Sequence, residues 1–203
     1  MIEVEQDHAG LWIVTLNRPD KANALTADML AELISVMGAA QEARGVILTG
    51  RGKVFSAGAD LDAARAGLAV SPLWEELSAA VAAVPGLTIA ALNGTLAGGA
   101  NGMALACDLR IAVPTAKVFY PVMKLGYLPQ PSDVVRMKAL IGPARTKMIL
   151  AAGQKITADE AHSWGLVDRV VEPERLLDDA KALMADVLAA DPAIAHQILK
   201  SCH

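Results

Sequence analysis

IAALNGTLAGGANGMALACDLRIA, residues 89–112, holds two apolar runs of strand length separated by small residues. TIAALNG (88–94) reads as a buried strand running into a turn, and CDLRIAV (107–113) reads as the next strand. Between them a helix can begin at the pair Gly98–Gly99, where the absence of side chains lets strand, helix or ligand approach the backbone closely. Strand, turn, helix and strand in succession is the pattern of a layered α/β protein.

The same alternation extends in both directions. Upstream, LWIVTL (11–16) and GVILTG (45–50) are strand patterns, and the first is ended by Asn17, Arg18, Pro19 and Asp20. Between them Leu25, Met29, Leu33 and Met37 recur at helical spacing behind Thr26, a good N-cap. A helix over 71–84 opens with Ser71 and Pro72 as cap and first position. Downstream, KVFY (117–120) is a short extended piece, and helices open near Ser132 and near Pro143. Thr157 with Glu160 forms a capping box for a helix ending at Gly165, LVDRVV (166–171) is a last strand, and one amphipathic helix follows. No linker, repeat or low-complexity segment interrupts residues 1–203, which predicts one compact domain.

Composition narrows the function classes. Apolar residues are 54% of the chain but aromatics only 3%, so the core must be built from small and branched aliphatics. A net charge of −4 without any Lys/Arg run points away from nucleic acid and from a membrane surface as partners. MIEVEQDHAG carries charges where a signal peptide needs an apolar run, and no apolar run reaches the roughly 20 residues that span a bilayer. Cys107 and Cys202 lie far apart, as free thiols of a reducing cytoplasm would. There is no HExxH and no paired Cys/His spacing, and His8, His162, His196 and His203 are scattered, so no metal site is expected.

Two turns carry the functional signal: FSAGADL (55–61), close behind the 45–50 strand, and NGTLAGGANGMALACD (93–108), behind the 88–92 strand. Strand ends are where α/β sheets bind ligands. Two backbone N–H groups converging from such turns could hold a developing oxyanion, and each such donor supplies about 3–4 kcal/mol in the transition state. The spacing alone equally fits glycines that only permit tight packing.

LNRPDKANAL (16–25), GVILTGRGKVFSAGADL (45–61), IAALNGTLAGGANGMALACDLRIA (89–112) and ITADEAHSWGLVDRVV (156–171) together resemble the successive signature blocks of the enoyl-CoA hydratase/isomerase (crotonase) superfamily. The resemblance covers nearly the whole chain. It implies an α/β crotonase-like spiral of ββα units over 1–170, with a shortened C-terminal helical part over 171–203. It implies homotrimers or dimers of trimers, an acyl-CoA thioester as substrate and no separate cofactor. Its oxyanion donors would be the N–H groups of Ala57 and Gly99. The CoA and acyl portions would run past Lys21, Ala22, Ala24, Ala57, Ala59, Asp60, Leu61, Gly98, Gly99 and Val122.

The departures from the pattern matter as much. Hydratases of the family use two glutamates, and the matching positions here are Gly102 and Val122, neither of which titrates. Pro129 and Pro131 stand where relatives have a glycine-rich turn, and the chain stops at His203, earlier than family members do. Tyr127 is the nearest titratable replacement and is the candidate proton donor; Tyr120, Asn101 and the more distant Asp133 are weaker ones. GVILTGR (45–51) lacks the Lys of a P-loop, and no Ser follows the glycine pair to act as a nucleophile, leaving Ser56 as a turn hydroxyl. Two readings remain: a lyase or isomerase of acyl-CoA metabolism using other residues, or a non-catalytic acyl-CoA-binding scaffold.

Overall fold

A computed structural model describes residues 1–202. The chain winds as repeated strand–strand–helix units. The first is β1 (Ile2–Gln6), β2 (Leu11–Leu16) and α1 (Ala27–Ala39); the second is β3 (Gly45–Gly50), β4 (Val54–Ser56), α2 (Leu61–Arg65) and α3 (Leu73–Ala82). The third is β5 (Leu87–Leu92), β6 (Thr95–Ala97) and α4 (Asn101–Ala106). The fourth is β7 (Leu109–Ala112), β8 (Lys117–Phe119), α5 (Val122–Leu125) and α6 (Pro131–Leu150). Then come β9 (Ile156–Thr157), α7 (Ala158–Trp164), β10 (Arg169–Val170), α8 (Leu176–Ala189) and α9 (Pro192–Ser201).

Both strands of the first unit and the first strand of each later unit join a six-stranded sheet ordered β1-β2-β3-β5-β7-β10, closed by β10, while the second strands from the second unit on join β9 in a four-stranded sheet ordered β4-β6-β8-β9. This is the spiral of ββα units expected from the sequence blocks. The wholly buried GVILTG and LTIAAL become parallel neighbours, Gly45 opposite Leu87 through Leu48 opposite Ala90. Helices on both faces of a parallel sheet leave no polar side, hence continuous apolar runs. On α1 the expected face is buried at Met29, Leu30, Leu33 and Met37, and Thr26 accepts from the Met29 N–H.

Several boundaries differ from the sequence reading. β1 was not anticipated because IEVEQ has Glu3 and Glu5 on a sheet edge, where charges discourage further pairing. Strands β4 and β6 are three residues each, too short for a periodicity to register. The 71–84 helix starts at Leu73, with Ser71 Oγ accepting from the Leu73 N–H. The last strand shrinks to Arg169–Val170, and the expected final helix is two, α8 and α9, bent by 116° across Asp191. Proline at the start of α9 and Asp191 as its N-cap, accepting from Ala193 and Ile194 N–H, explain the break. The two helices opening near Ser132 and Pro143 are both present, as one α6 broken at Gly142 (φ 74°, ψ 167°).

Helix α8 packs on β3, β5 and β7, and the Arg44 guanidinium donates to the Val187 and Ala190 carbonyls at its end. The buried Arg110 guanidinium ties β7 to the Leu166–Asp168 loop through the Leu166 carbonyl and the Asp168 carboxylate. Among the described residues no single helix is long and apolar enough to cross a membrane.

Candidate active site

The two turns meet because both contain glycine where backbone touches backbone. Gly58 has φ +89°, and a Cβ there would stand 2.8 Å from the Ala97 carbonyl oxygen and 3.2 Å from the Gly98 Cα. Gly98, at φ +57°, faces the Gly58 Cα in return. At position 58 only glycine allows both the conformation and the approach.

Which N–H groups are free is set by the bridge that Ala59 makes with Leu25. The Leu25 N–H donates to the Gly58 carbonyl at 2.7 Å, and the Asp60 N–H donates to the Leu25 carbonyl at 2.8 Å. In a parallel bridge the partner bonds to the residues on either side, so the N–H of Ala59 itself lies on the opposite edge with no protein acceptor. The Ala57 N–H, expected as the first oxyanion donor, is instead occupied by the Ala22 carbonyl at 3.0 Å. Sequence spacing could not separate Ala57 from Ala59; the hydrogen-bond ladder does. Gly99 sits in the first turn of a 3-10 helix over Gly98–Ala100, where N–H groups lack an intrahelical partner. The Trp74 ring covers this glycine so closely that a Cβ would be 2.9 Å from it, and Trp74 is itself held by donating to the Leu68 carbonyl at 2.7 Å.

Both turns open on a cavity of about 250 Å³ with mainly apolar walls. Of the residues singled out from the sequence, Ala57, Ala59, Leu61, Gly98, Gly99, Val122 and Tyr127 line it. Lys21, Ala22, Ala24 and Asp60 lie outside its lining. Ala22, with φ 51°, carries the carbonyl that takes Ala57. Asp60 is committed to the fold: it pairs with Arg18 at 2.8 Å and caps α2 by accepting from Asp62 and Ala63 N–H. The Arg18 bond holds its carboxyl below the usual range. Ser56 is fully buried and donates to the Asn23 carbonyl, as a turn hydroxyl should. Tyr127 is 38% exposed at the rim.

The largest departure concerns Asp133, which the sequence placed far from the motifs. It is fully buried, and a Cβ on Gly102 would stand 2.8 Å from its Oδ1. Its carboxylate thus fills the space into which a side chain at position 102 would project. Tyr120, a cavity wall, donates from its hydroxyl to Asp133 Oδ2 at 3.0 Å, while Asp133 Oδ1 has no partner. Burial pushes the Asp133 carboxyl up to about 7, with the nearby Glu75 charge adding and the Tyr120 bond and Arg136 opposing. Burial also raises the Tyr120 phenol, and Asp133 adds to that. Neither residue lies in a recognisable block, so no local signal pairs them; an aspartate at the start of a helix reads as a cap.

The enoyl-CoA hydratase/isomerase family model matches residues 6–203. The chain belongs to the enoyl-CoA hydratase/isomerase family. Its relatives include a short-chain-enoyl-CoA hydratase of Clostridium acetobutylicum, 35% identical over 89% of this chain and 72% of the relative. A 1,2-epoxyphenylacetyl-CoA isomerase of Escherichia coli is 32% identical over 94% of this chain and 77% of the relative. The crystal structure of an enoyl-CoA hydratase from Bacillus anthracis superposes with a TM-score of 0.89 at 33% identity, covering 96% of this chain and 79% of that one. The fold is therefore the crotonase fold, and the chain is by family an enzyme of acyl-CoA chemistry. Within this enoyl-CoA hydratase/isomerase family member, no three described His, Cys, Asp or Glu side chains converge as a metal site would need; His203 lies outside the described residues.

Proposed function

We propose that this chain binds an acyl-CoA thioester with its carbonyl oxygen between the N–H groups of Ala59 and Gly99, and stabilises the enolate formed when an adjacent C–H is deprotonated. The observation that carries the reading is that Ala59 and Gly99, whose N–H groups have no acceptor in the protein, line one cavity beside Gly58, where a Cβ would not fit. As the carbonyl becomes an enolate its charge grows, and fixed dipoles in a dry site stabilise the charged form more than the neutral one. The apolar walls, with Trp74 behind Gly99, suit an acyl chain. The CoA portion would leave the cavity past Leu61 and Asp60 and along Lys21, Ala22 and Ala24. Isomerisation or another enolate reaction fits better than hydration, since Gly102 and Val122 offer no group to activate water. We further propose a cytoplasmic homotrimer or dimer of trimers.

A second reading has a specific basis. The loss of titratable groups at 102 and 122 also suits an acyl-CoA-binding protein without turnover. The deciding experiment is α-proton exchange of butyryl-CoA in deuterated buffer, followed by NMR. The enzyme reading expects exchange, and expects Gly99→Pro to slow it by about 100-fold or more in a folded protein, since one donor is worth about 3 kcal/mol. Line broadening of the ligand without exchange favours the binding protein, and a folded Gly99→Pro with undiminished exchange removes Gly99 from the site.

A further inference from the structure

An enolate site needs a group that takes and returns the proton, and the cavity wall contains one titratable pair. Tyr120 is 5% exposed and lines the cavity; its hydroxyl is bonded to the carboxylate of Asp133, which is wholly buried behind it. The start of α6 that carries Asp133 is anchored by its neighbours. Ser132, its neighbour at the start of α6, donates from N–H and hydroxyl to Glu75 of α3 at 3.0 Å each. Arg136, a turn further along α6, donates to Ser78, which in turn donates to the Gly102 carbonyl at 3.2 Å. Gly102 leaves the space open, and Asp133 Oδ1 remains without a hydrogen-bond partner in the core. A buried, unpartnered carboxylate oxygen costs stability, so this arrangement is unfavourable for the fold taken alone.

We propose that Tyr120 is the catalytic group that contacts the reacting carbon and that Asp133, acting through its hydroxyl, is the proton reservoir that replaces the missing glutamates. The proposal rests on the enolate reading above. In the forward step the substrate C–H bond breaks and its electron pair enters the enolate, whose oxygen is held by the Ala59 and Gly99 N–H groups. The substrate proton passes to the Tyr120 oxygen as the phenolic proton moves to Asp133 Oδ2, leaving a neutral phenol and a neutral carboxylic acid. The reverse step, once the proton held on the pair has been replaced by one from solvent, returns it to the same carbon, giving exchange; delivered to a carbon further along the chain it gives isomerisation. Burial and Glu75 hold the Asp133 carboxyl near 7 against Arg136 and the Tyr120 bond. It therefore changes state close to neutral pH, where a general base is most effective.

The test measures butyryl-CoA α-proton exchange and butyryl-CoA affinity against pH for the intact protein, Asp133→Asn, Tyr120→Phe and Tyr127→Phe. The wild type should exchange faster as pH rises through about 7 and then level off. Asp133→Asn and Tyr120→Phe should each slow exchange by about 100-fold or more, with affinity within about threefold and the pH step gone from the residual rate. If Asp133→Asn does not fold, Tyr120→Phe decides alone. Exchange that survives in both variants at the wild-type rate overturns the relay and leaves the enolate reading standing. Loss in Tyr127→Phe with Tyr120→Phe unaffected moves the proton to the rim tyrosine and overturns the relay. Absence of exchange in the wild type overturns both.

Discussion

Asp133 shows what one buried carboxyl does to both stability and chemistry. Its ordinary value is 3.8, and burial raises it to about 7 in the fold. Between those values the folded chain binds a proton that the unfolded chain has released, so stability falls as pH rises from about 4 to about 7 and stays lower above it. The size is about 4 kcal/mol as an order of magnitude, from about 1.4 kcal/mol for each pH unit of displacement. Thermal melts of the wild type should therefore show a lower midpoint at pH 8 than at pH 5. Asp133→Asn, which cannot ionise, should flatten that slope and melt above the wild type at pH 8; an unchanged slope would mean that Asp133 titrates in the normal carboxylate range. Gly102→Ala makes the complementary change, placing a methyl 2.8 Å from Asp133 Oδ1 and displacing the carboxylate from Tyr120. Exchange should fall at least about tenfold with the oxyanion turns intact, whereas an unaffected rate would show that the carboxylate position is immaterial. The same crowding means that a glutamate placed at 102 to restore hydration would collide with Asp133.

At the scale of elements, the site depends on two turns at the ends of β4 and β6 being close enough for backbone to touch backbone. Gly58→Ala should break this, because it forces a side chain into φ +89° and against the Ala97 carbonyl at 2.8 Å. We expect a loss of about 2 kcal/mol in stability and a larger proportional loss in exchange than in folding. Denaturant titration alongside exchange rates checks this, and equal effects on both would make the contact merely structural. These turns were legible in sequence as glycines behind strands, although their spacing equally fitted tight packing. The identity of the donor was not. Ala57 and Ala59 are the same residue type on the same turn, and only the Ala22 carbonyl on the Ala57 N–H, with the pairing of Leu25 to residues 58 and 60, separates the occupied N–H from the free one.

At the scale of the molecule, large apolar side chains of the cavity lining stand exposed: Leu61 at 74%, Leu125 at 58% and Leu128 at 87%. Such a cluster is unusual on a monomer surface and fits burial against another copy. Sedimentation equilibrium should return a mass about three or six times the 21.1 kDa protomer. Leu128→Glu should shift the balance toward smaller species and lower thioester affinity if the neighbour closes the mouth. A stable wild-type monomer would remove the oligomer from the proposal.

By itself the sequence determined the α/β class, the core strands, the capped helices and the family. Each of these is written in local patterns: buried parallel strands must be apolar throughout, and caps and glycine turns act within a few residues. Tertiary structure alone decided which N–H groups are free and brought Asp133 behind Tyr120 and beside Gly102. Those outcomes depend on the register of strands and on helices crossing between distant segments. A residue's type and its immediate neighbours carry no record of what the rest of the chain will place against it.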